Sequence, residues 1–249
     1  MTPAAIITGA GSGIGWATAQ VLVAAGYDLT LVGRRADPLR ELAEALRANT
    51  ASSVLDLPFD VSARTAADAI LSAHLERFGR VDALVTAAGV YRESSMDSLD
   101  ESWDSTININ LRGSALLAVR CARAMSAGDG GRIVLISSVS AYSSEVDALD
   151  YCAAKAGVVS VAKSMALQFG ASNVTTNAVA PGWIDTPQAA QAIEALKPDD
   201  LVRINPLRRF GRPEEIAEVI RYLICDAPPF LLGTTIAVDG GQLAQAPVL

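Results

Sequence analysis

Two side chains that could together move a proton lie four positions apart, Tyr151 and Lys155. If Tyr151 to Gly170 forms a helix, they stand one turn apart on the same face. A free tyrosine has a pKa of about 10 and is a poor acid or base near neutrality, but a neighbouring ammonium favours its phenolate. Ser138 follows a strand-like run thirteen residues before Tyr151. The spacing predicts acid–base chemistry at Tyr151, with an ordinary helix pair as the alternative.

A glycine-rich turn near the start of the chain could hold a phosphate. Thr8, Gly9, Gly13 and Gly15 form the pattern Thr-Gly-x-x-x-Gly-x-Gly between a strand-like run and a helix-like segment. Glycine permits a tight turn and the close approach of a phosphate, and the following helix N-terminus favours an anion. The position predicts a dinucleotide site, although the common Gly-x-Gly-x-x-Gly spacing fails because Ile14 stands where its third glycine would be.

Short β-branched or apolar runs alternate with helix-length segments along the chain. These runs are Ala4 to Thr8, Leu29 to Val32, Val54 to Phe59, Ala83 to Thr86, Arg132 to Ile136, Val174 to Val179 and Thr235 to Val238. Strands that are covered on both faces have this pattern. The alternation predicts an α/β fold: one Rossmann-like domain over residues 1–249, with a doubly wound parallel sheet of about seven strands and helices on both faces.

Between the strands, Pro38–Asn49 and Ala63–Phe78 show helical spacing, and Gly79 is typical of a helix end. The least regular stretch is 183–213, which contains the helix-like segment Gln188–Leu196. In a doubly wound sheet, the loops at the carboxyl ends of the strands hold the ligand. We therefore expect residues 183–213 to form a substrate loop or lid.

Composition argues against several function classes. The chain has 249 residues, of which 51% are hydrophobic and 19% charged, so a large core is expected and disorder is not. The net charge of −7 argues against nucleic acid or an anionic membrane as a partner. The first 27 residues carry no charge, but they lack the basic start of a signal peptide and are too interrupted by glycine and polar residues to span a membrane.

The cysteines, Cys121, Cys152 and Cys225, are far apart and have no metal-binding spacing. The lone histidine, His74, cannot form a multi-histidine metal site and is expected to be an ordinary helix residue. We therefore predict no metal, reduced thiols and a cytoplasmic location.

The glycine pattern, together with Asn110, Ser138, Tyr151 and Lys155, resembles the short-chain dehydrogenase/reductase family from end to end. The resemblance implies that the serine polarises a substrate carbonyl and that the tyrosine is the acid/base. The lysine would also hold the nicotinamide ribose, and the asparagine would anchor a water chain. The cofactor positions that it implies are Gly9, Ser12, Gly13, Ile14, Gly15, Arg34, Asp60, Val61, Ala88, Gly89, Tyr151, Lys155, Pro181, Gly182, Ile184 and Thr186.

Residues after the second strand-like run bear on cofactor choice. NAD sites usually place an acid about 20 positions after the glycines, but Gly33 stands there. Arg34 follows and can bind a 2′-phosphate, so NADP(H) is favoured and NAD(H) is the alternative. A solvated turn is the other interpretation of Arg34 and Arg35. Asp60 and Val61 resemble the family's adenine-binding pair, with helix capping as a competing role of Asp60.

One family feature is missing. Where the family often has Asn-Asn-Ala-Gly, this chain has Thr86-Ala87-Ala88-Gly89, so the side-chain amides are gone. This puts a local stabilising hydrogen bond in doubt more than the chemistry.

The resemblance implies hydride transfer between the cofactor and the ketone or secondary alcohol of a small molecule. A 3-oxoacyl-[acyl-carrier-protein] reductase is the first alternative, disfavoured because Asp129 and Ser172 stand where such enzymes carry basic residues. A non-catalytic NADP-binding regulator is the alternative from another class. The family is usually oligomeric, and the small residues of Ala153–Ala166 suit helix packing in a homotetramer or dimer.

Residues near the predicted site offer a substrate pocket. The candidates are Tyr91, Ser140, Tyr142 and Trp183. The acids Glu145, Asp147 and Asp150 lie in the same stretch. Solvated loop residues are the favoured interpretation, and rim groups of the pocket are the alternative.

Overall fold

The computed structural model describes residues 2–195 and 205–245. At its centre is a seven-stranded parallel sheet in the order β3-β2-β1-β4-β5-β6-β7. The strands are β1 (Ala4–Thr8), β2 (Asp28–Gly33), β3 (Val54–Pro58), β4 (Ala83–Thr86), β5 (Gly131–Ile136), β6 (Val174–Pro181) and β7 (Thr235–Val238). The predicted doubly wound α/β fold is confirmed. The bounds of β1, β4 and β7 match the sequence prediction, and those of the other strands differ by one or two residues.

Helices follow most strands. They are α1 (Gly13–Ala24), α2 (Ala36–Asn49), α3 (Ala66–Phe78), α4 (Leu99–Ile107), α5 (Ser114–Ser126), α6 (Leu149–Phe169), α7 (Ala190–Ala195) and α8 (Pro213–Arg221). A π-helical segment, Asn108–Gly113, joins α4 to α5, and another, Tyr222–Asp226, follows α8. None of the helices in the described ranges is both long and apolar enough to cross a bilayer.

The predicted helix bounds need small corrections. α2 begins two residues before Pro38, and α6 begins two residues before Tyr151 and ends at Phe169. α3 begins at Ala66, three residues later than predicted. The candidate helix Gln188–Leu196 is observed as α7, and its last residue lies outside the described part of the chain.

Alternate side chains along the strands bury both faces of the sheet. Ile7 of β1 packs with Leu22 of α1 and Ile220 of α8 on one face. Its neighbour Ile6 points to the other face, where it shares one hydrophobic cluster with Ile70 of α3 and with residues of α5 and α6. Because the strands are parallel, their carboxyl ends lie at the same edge of the sheet. Helices cover both faces, so the loops at this edge are where ligand-binding residues are expected.

His74 belongs to this core. Its side chain is buried in α3, with Nδ1 2.7 Å from the Thr30 hydroxyl of β2. Burial lowers the pKa of His74 to about 4. Gly79 ends the same helix with a left-handed φ of 73°, as the sequence predicted.

Candidate active site

A cleft opens at the carboxyl ends of the strands, between the loops that follow β1 to β6. All the cofactor positions named from the sequence line it. It is also lined by the predicted residues Ser138, Tyr91, Ser140 and Trp183. Tyr142 is outside the lining and 54% exposed, so the structure does not bring this predicted pocket residue to the cleft: it follows the short helical turn after Ser138.

The glycine turn after β1 is held by backbone contacts. Gly9 has a φ of +70°, and a Cβ at this position would lie 2.6 Å from the main chain of Ala87 and Ala88. Gly13, with a φ of +53°, begins α1. The turn therefore presses against the loop after β4, and the N-terminal amides of α1 stand at the cleft, an arrangement that suits a pyrophosphate.

Asn110 is buried just behind the cleft lining, in the π-helical segment between α4 and α5. Its Oδ1 accepts from the Val90 N–H and its Nδ2 donates to the Val90 carbonyl, both at 2.8 Å. The Thr8 hydroxyl accepts from the Ala88 N–H at 3.1 Å. Together these bonds fix the loop after β4. This is the loop in which the chain lacks the side-chain amides that the resemblance led us to expect.

The loops after β2 and β3 form the other end of the cleft. Gly33, Arg34 and Asp60 line it. Burial acts to raise the pKa of the Asp60 carboxyl, but hydrogen bonds from Ser62 and the charge of Arg34 outweigh it and hold this pKa below its usual value. Helix capping, the competing role predicted for Asp60, is not observed. Its carboxylate instead accepts from the N–H and the hydroxyl of Ser62, at 2.9 and 2.7 Å.

Tyr151 and Lys155 project into the cleft from the first turns of α6. The Lys155 ammonium donates to the Ile136 carbonyl at 2.9 Å and lies 5.5 Å from the centroid of the Tyr151 ring. Burial lowers the pKa of Lys155 to about 8. Burial also raises the pKa of Tyr151 to about 12, against a smaller lowering by a hydrogen bond with Ser138. The expected lowering of the tyrosine pKa by Lys155 is therefore not found in the protein alone, because burial dominates.

Ser138 begins a chain of hydrogen bonds along the cleft wall. Its Oγ accepts from the Ser140 N–H at 3.1 Å and lies 2.9 Å from Ser140 Oγ. Ser140 Oγ in turn donates to Glu145 Oε1 in a short hydrogen bond. Tyr91 donates to the other carboxylate oxygen at 3.3 Å, and its ring packs edge-on against Tyr151 with centroids 5.1 Å apart. Glu145 is therefore part of the site.

Asp150 is buried at the start of α6. Its carboxylate accepts from Ser94 at 3.0 Å, from Ser102 at 2.8 Å and from the Tyr151 N–H at 2.8 Å. The favoured interpretation of the nearby acids as solvated thus fails for Asp150, which is buried, and Glu145 at the cleft matches the alternative of a rim group. The only hint in the sequence was an acid beside a helix start, since the serines that bind Asp150 lie about 50 residues earlier.

The loop after β6 closes the cleft from the other side. Trp183 lines the cleft, and its carbonyl accepts from the Gly211 N–H at 2.9 Å. A Cβ on Gly13 would lie 3.0 Å from Thr186 Cγ2, so this loop rests on the glycine turn. The predicted lid, 183–213, includes residues 196–204, which lie outside the described residues, and it stays a prediction.

Comparisons with known proteins agree with this geometry. A family model described as Enoyl-(Acyl carrier protein) reductase matches residues 9–242. The chain is 37% identical over 242 residues to cis-4-hydroxycyclohexanecarboxylate dehydrogenase of Sinomonas cyclohexanicum, covering 96% of each protein. It is 35% identical over 240 residues to 3-oxoacyl-[acyl-carrier-protein] reductase of Thermotoga maritima, covering 95% of this chain and 96% of that one.

The fold comparison points the same way. The crystal structure of levodione reductase matches with a TM-score of 0.91 and 32% sequence identity, covering 98% of both chains. The glycine turn and the Tyr-x-x-x-Lys pair had predicted the same relationship. This chain therefore belongs to the short-chain dehydrogenase/reductase family, whose members are oxidoreductases that use a nicotinamide cofactor.

Proposed function

We propose that this protein transfers a hydride between a nicotinamide cofactor and a small-molecule ketone or secondary alcohol, with Tyr151 as the acid/base. One observation carries the proposal. The Ser138 hydroxyl, the Tyr151 phenol and the Lys155 ammonium line the same cleft as the glycine turn. A proton donor and a binding place for the dinucleotide are thus next to each other.

The residues of the cleft fit such a cofactor. Main chain lies so close to Gly9 that a side chain there would be excluded, and the glycine turn itself lines the cleft, where its backbone can meet a phosphate. A Cβ on Gly89 would lie 3.0 Å from Asn110 Oδ1 and 3.7 Å from Lys155 Nζ, so the middle of the cleft is also a glycine cradle. When bound, the nicotinamide ring supplies or accepts the hydride.

The protein's own groups manage the proton. With a pKa of about 12, Tyr151 holds its proton at neutral pH, and in ketone reduction it donates that proton to the developing alkoxide. Ser138 turns its hydroxyl from Ser140 to the substrate oxygen and stabilises the same negative charge. In alcohol oxidation Tyr151 must first lose its proton, a step that burial opposes. The Lys155 ammonium, 5.5 Å from the centroid of the Tyr151 ring, is the group that would stabilise the phenolate against this effect.

NADP(H) is the proposed cofactor. Arg34 lines the end of the cleft and lies near enough to Asp60 to lower the pKa of its carboxyl. No carboxylate stands at Gly33 to repel a 2′-phosphate. The ratio of kcat/KM for NADPH and NADH with one accepted ketone tests this, and a strong preference for NADH would contradict it.

Turnover is tested by following cofactor absorbance with a panel of small ketones, secondary alcohols and 3-oxoacyl thioesters. We expect oxidation or reduction of at least one small ketone or alcohol. If none reacts with either cofactor, the proposal fails.

Reduction of a carrier-bound 3-oxoacyl group is the second candidate, and the Thermotoga maritima relative favours it. Its carrier partner would be acidic, whereas Asp129 and Ser172 offer no positive charge for docking. A non-catalytic regulator would not need Ser138, Tyr151 and Lys155 in one cleft. Homo-oligomer formation and a cytoplasmic location stay predictions from the sequence.

A further inference from the structure

We propose that Glu145 selects the substrate: it favours molecules that carry a hydroxyl or ammonium group beside the reacting carbon and rejects molecules that carry a carboxylate there. This inference rests on the proposed function, because it concerns the same cleft. It assigns a role to a side chain that the reaction itself does not use.

The position of Glu145 supports this role. It is half-buried in the loop before α6 and lines the cleft. Through Ser140, it is two hydrogen bonds from the Ser138 oxygen. Through Tyr91, it is joined to a ring that packs on Tyr151. A substrate oxygen placed between Ser138 and Tyr151 therefore brings its neighbouring substituent close to this carboxylate.

The direction of the hydrogen bonds decides whether Glu145 and its partners present donors or acceptors to a substrate. A carboxylate accepts hydrogen bonds and donates none, so the protons of Ser140 and Tyr91 both point to Glu145. Each hydroxyl has a single proton, and what remains free on both is a lone pair. The carboxylate itself has about four acceptor sites, of which these hydroxyls use two. The wall formed by Tyr91, Ser140 and Glu145 thus meets the substrate as acceptors only, and the substrate must supply the donor.

Charge acts in the same direction. Burial is the main cause that raises the pKa of Tyr91, and the charge and hydrogen bond of Glu145 and the charge of Glu93 act in the same direction. Among the described residues lining this end of the cleft, Lys155 is the basic side chain, and its ammonium is bound to the Ile136 carbonyl. A carboxylate on the substrate would meet Glu145 with neither a proton nor a free cation between them, and like charges at short range repel strongly in a cleft.

A matched set of substrates tests the inference. The set is cyclohexanol and its derivatives with a hydroxyl, an ammonium or a carboxylate on the neighbouring carbon, each assayed for kcat/KM. We expect the wild-type protein to prefer the ammonium over the carboxylate derivative by about 100-fold or more. Glu145→Gln should reduce that ratio at least about tenfold, because it removes the charge and can donate from its amide.

Two variants control for other effects. Glu93 also acts on Tyr91 through its charge but is exposed and is not a hydrogen-bond partner of Tyr91 or Ser140, so Glu93→Gln should change the ratio by no more than about twofold. Glu145→Asp keeps the charge and should keep the rejection of the carboxylate, which separates charge from a general disturbance of the loop. An unchanged ratio in Glu145→Gln, or a wild-type preference for the carboxylate, would overturn the inference.

A binding measurement separates this inference from the proposed function. Calorimetric titration of the ammonium and carboxylate derivatives into the wild-type protein and Glu145→Gln reports the same preference without turnover. Selective binding without turnover of any compound would refute the proposed function and support the role of Glu145. Turnover with no selection in either assay would support the function and refute that role.

Discussion

The two ends of the cleft are built from different kinds of contact. At the glycine turn, main chain lies against main chain: Gly9 faces Ala87, and the Ala87 N–H donates to the Thr8 carbonyl at 3.2 Å. At the substrate end, side chains meet side chains, with Ser140 and Tyr91 both bound to Glu145. A close backbone contact tolerates few substitutions, whereas a cleft wall made of side chains can be altered by single substitutions. The first end is thus fixed by close backbone approach, and the second by the choice of side chains.

The largest effect should come from Tyr151→Phe, which tests whether the two ends can be separated. The proton donor is lost, so kcat should fall by about 100- to 10,000-fold. The ring that packs on Tyr91 remains, and the glycine turn is untouched, so cofactor binding should stay within about threefold of wild type. Steady-state kinetics and a fluorescence titration with NADPH measure both quantities. A large loss of cofactor affinity would show that the two ends depend on each other.

Gly9→Ala tests the backbone end. Its Cβ would overlap the main chain of Ala87 and Ala88 at a φ of +70°, so the free energy of unfolding should fall by about 2–4 kcal/mol. Urea unfolding measures this. Gly26→Ala is the matched control, because Gly26 has a φ of +86° but no atom within 4 Å of the added Cβ. Equal losses in the two variants would mean that backbone angle, and not close approach, makes glycine necessary at position 9.

Gly33→Asp tests whether the end of the cleft formed by the loops after β2 and β3 tolerates a new side chain. A Cβ there would lie 3.5 Å from Leu39 Cδ2, an ordinary contact, so the variant should fold. The new carboxylate would repel a 2′-phosphate and accept from ribose hydroxyls, so the NADPH/NADH ratio of kcat/KM should fall at least about tenfold. Gly33→Asn has the same shape without the charge and should shift the ratio less. If both variants behave alike, charge is not the determinant.

The last prediction concerns stability in acid and lies in the core, away from the contrast between the two ends of the cleft. His74 binds Thr30 of β2 and has a folded-state pKa of about 4, against 6.5 for a free histidine. Below about pH 6.5 the unfolded chain takes up a proton that the folded protein does not, so stability should decline between pH 6.5 and 4, by at most about 3 kcal/mol. Above pH 6.5 this contribution is constant. Urea unfolding of wild type and His74→Leu at several pH values measures the difference, and parallel pH profiles would contradict it.

The same contrast explains how much the sequence could predict. The strands, the glycine turn and the Tyr151–Lys155 pair are local patterns, and each was found within a few residues of its observed place. The side-chain donors to Asp150, and one of the two to Glu145, are distant in sequence: Ser94 is 56 residues from Asp150, and Tyr91 is 54 from Glu145. Ser140, five residues from Glu145, is the near partner. Solvation is the default expectation for an acid in a loop, and it fails when the fold brings in hydroxyl donors.

The start of α3 was missed for a local reason. The chain after β3 turns on the Asp60–Ser62 hydrogen bonds, and this turn delays α3 to Ala66. A short polar side chain can satisfy the backbone without a helix, and the helical spacing of apolar residues does not reveal this competition.

The hydroxyl chain from Ser138 to Glu145 has a consequence for reversibility. With the Ser140 proton given to Glu145, the Ser138 proton points to Ser140, and a rotation about one single bond turns it to the reacting oxygen. Hydroxyl rotation takes on the order of picoseconds to nanoseconds, far less than a catalytic cycle. The serine thus acts as a fast two-position rotor rather than a fixed donor. In the proposed reaction, the same hydroxyl can therefore meet the substrate oxygen in reduction and in oxidation without a change in the backbone.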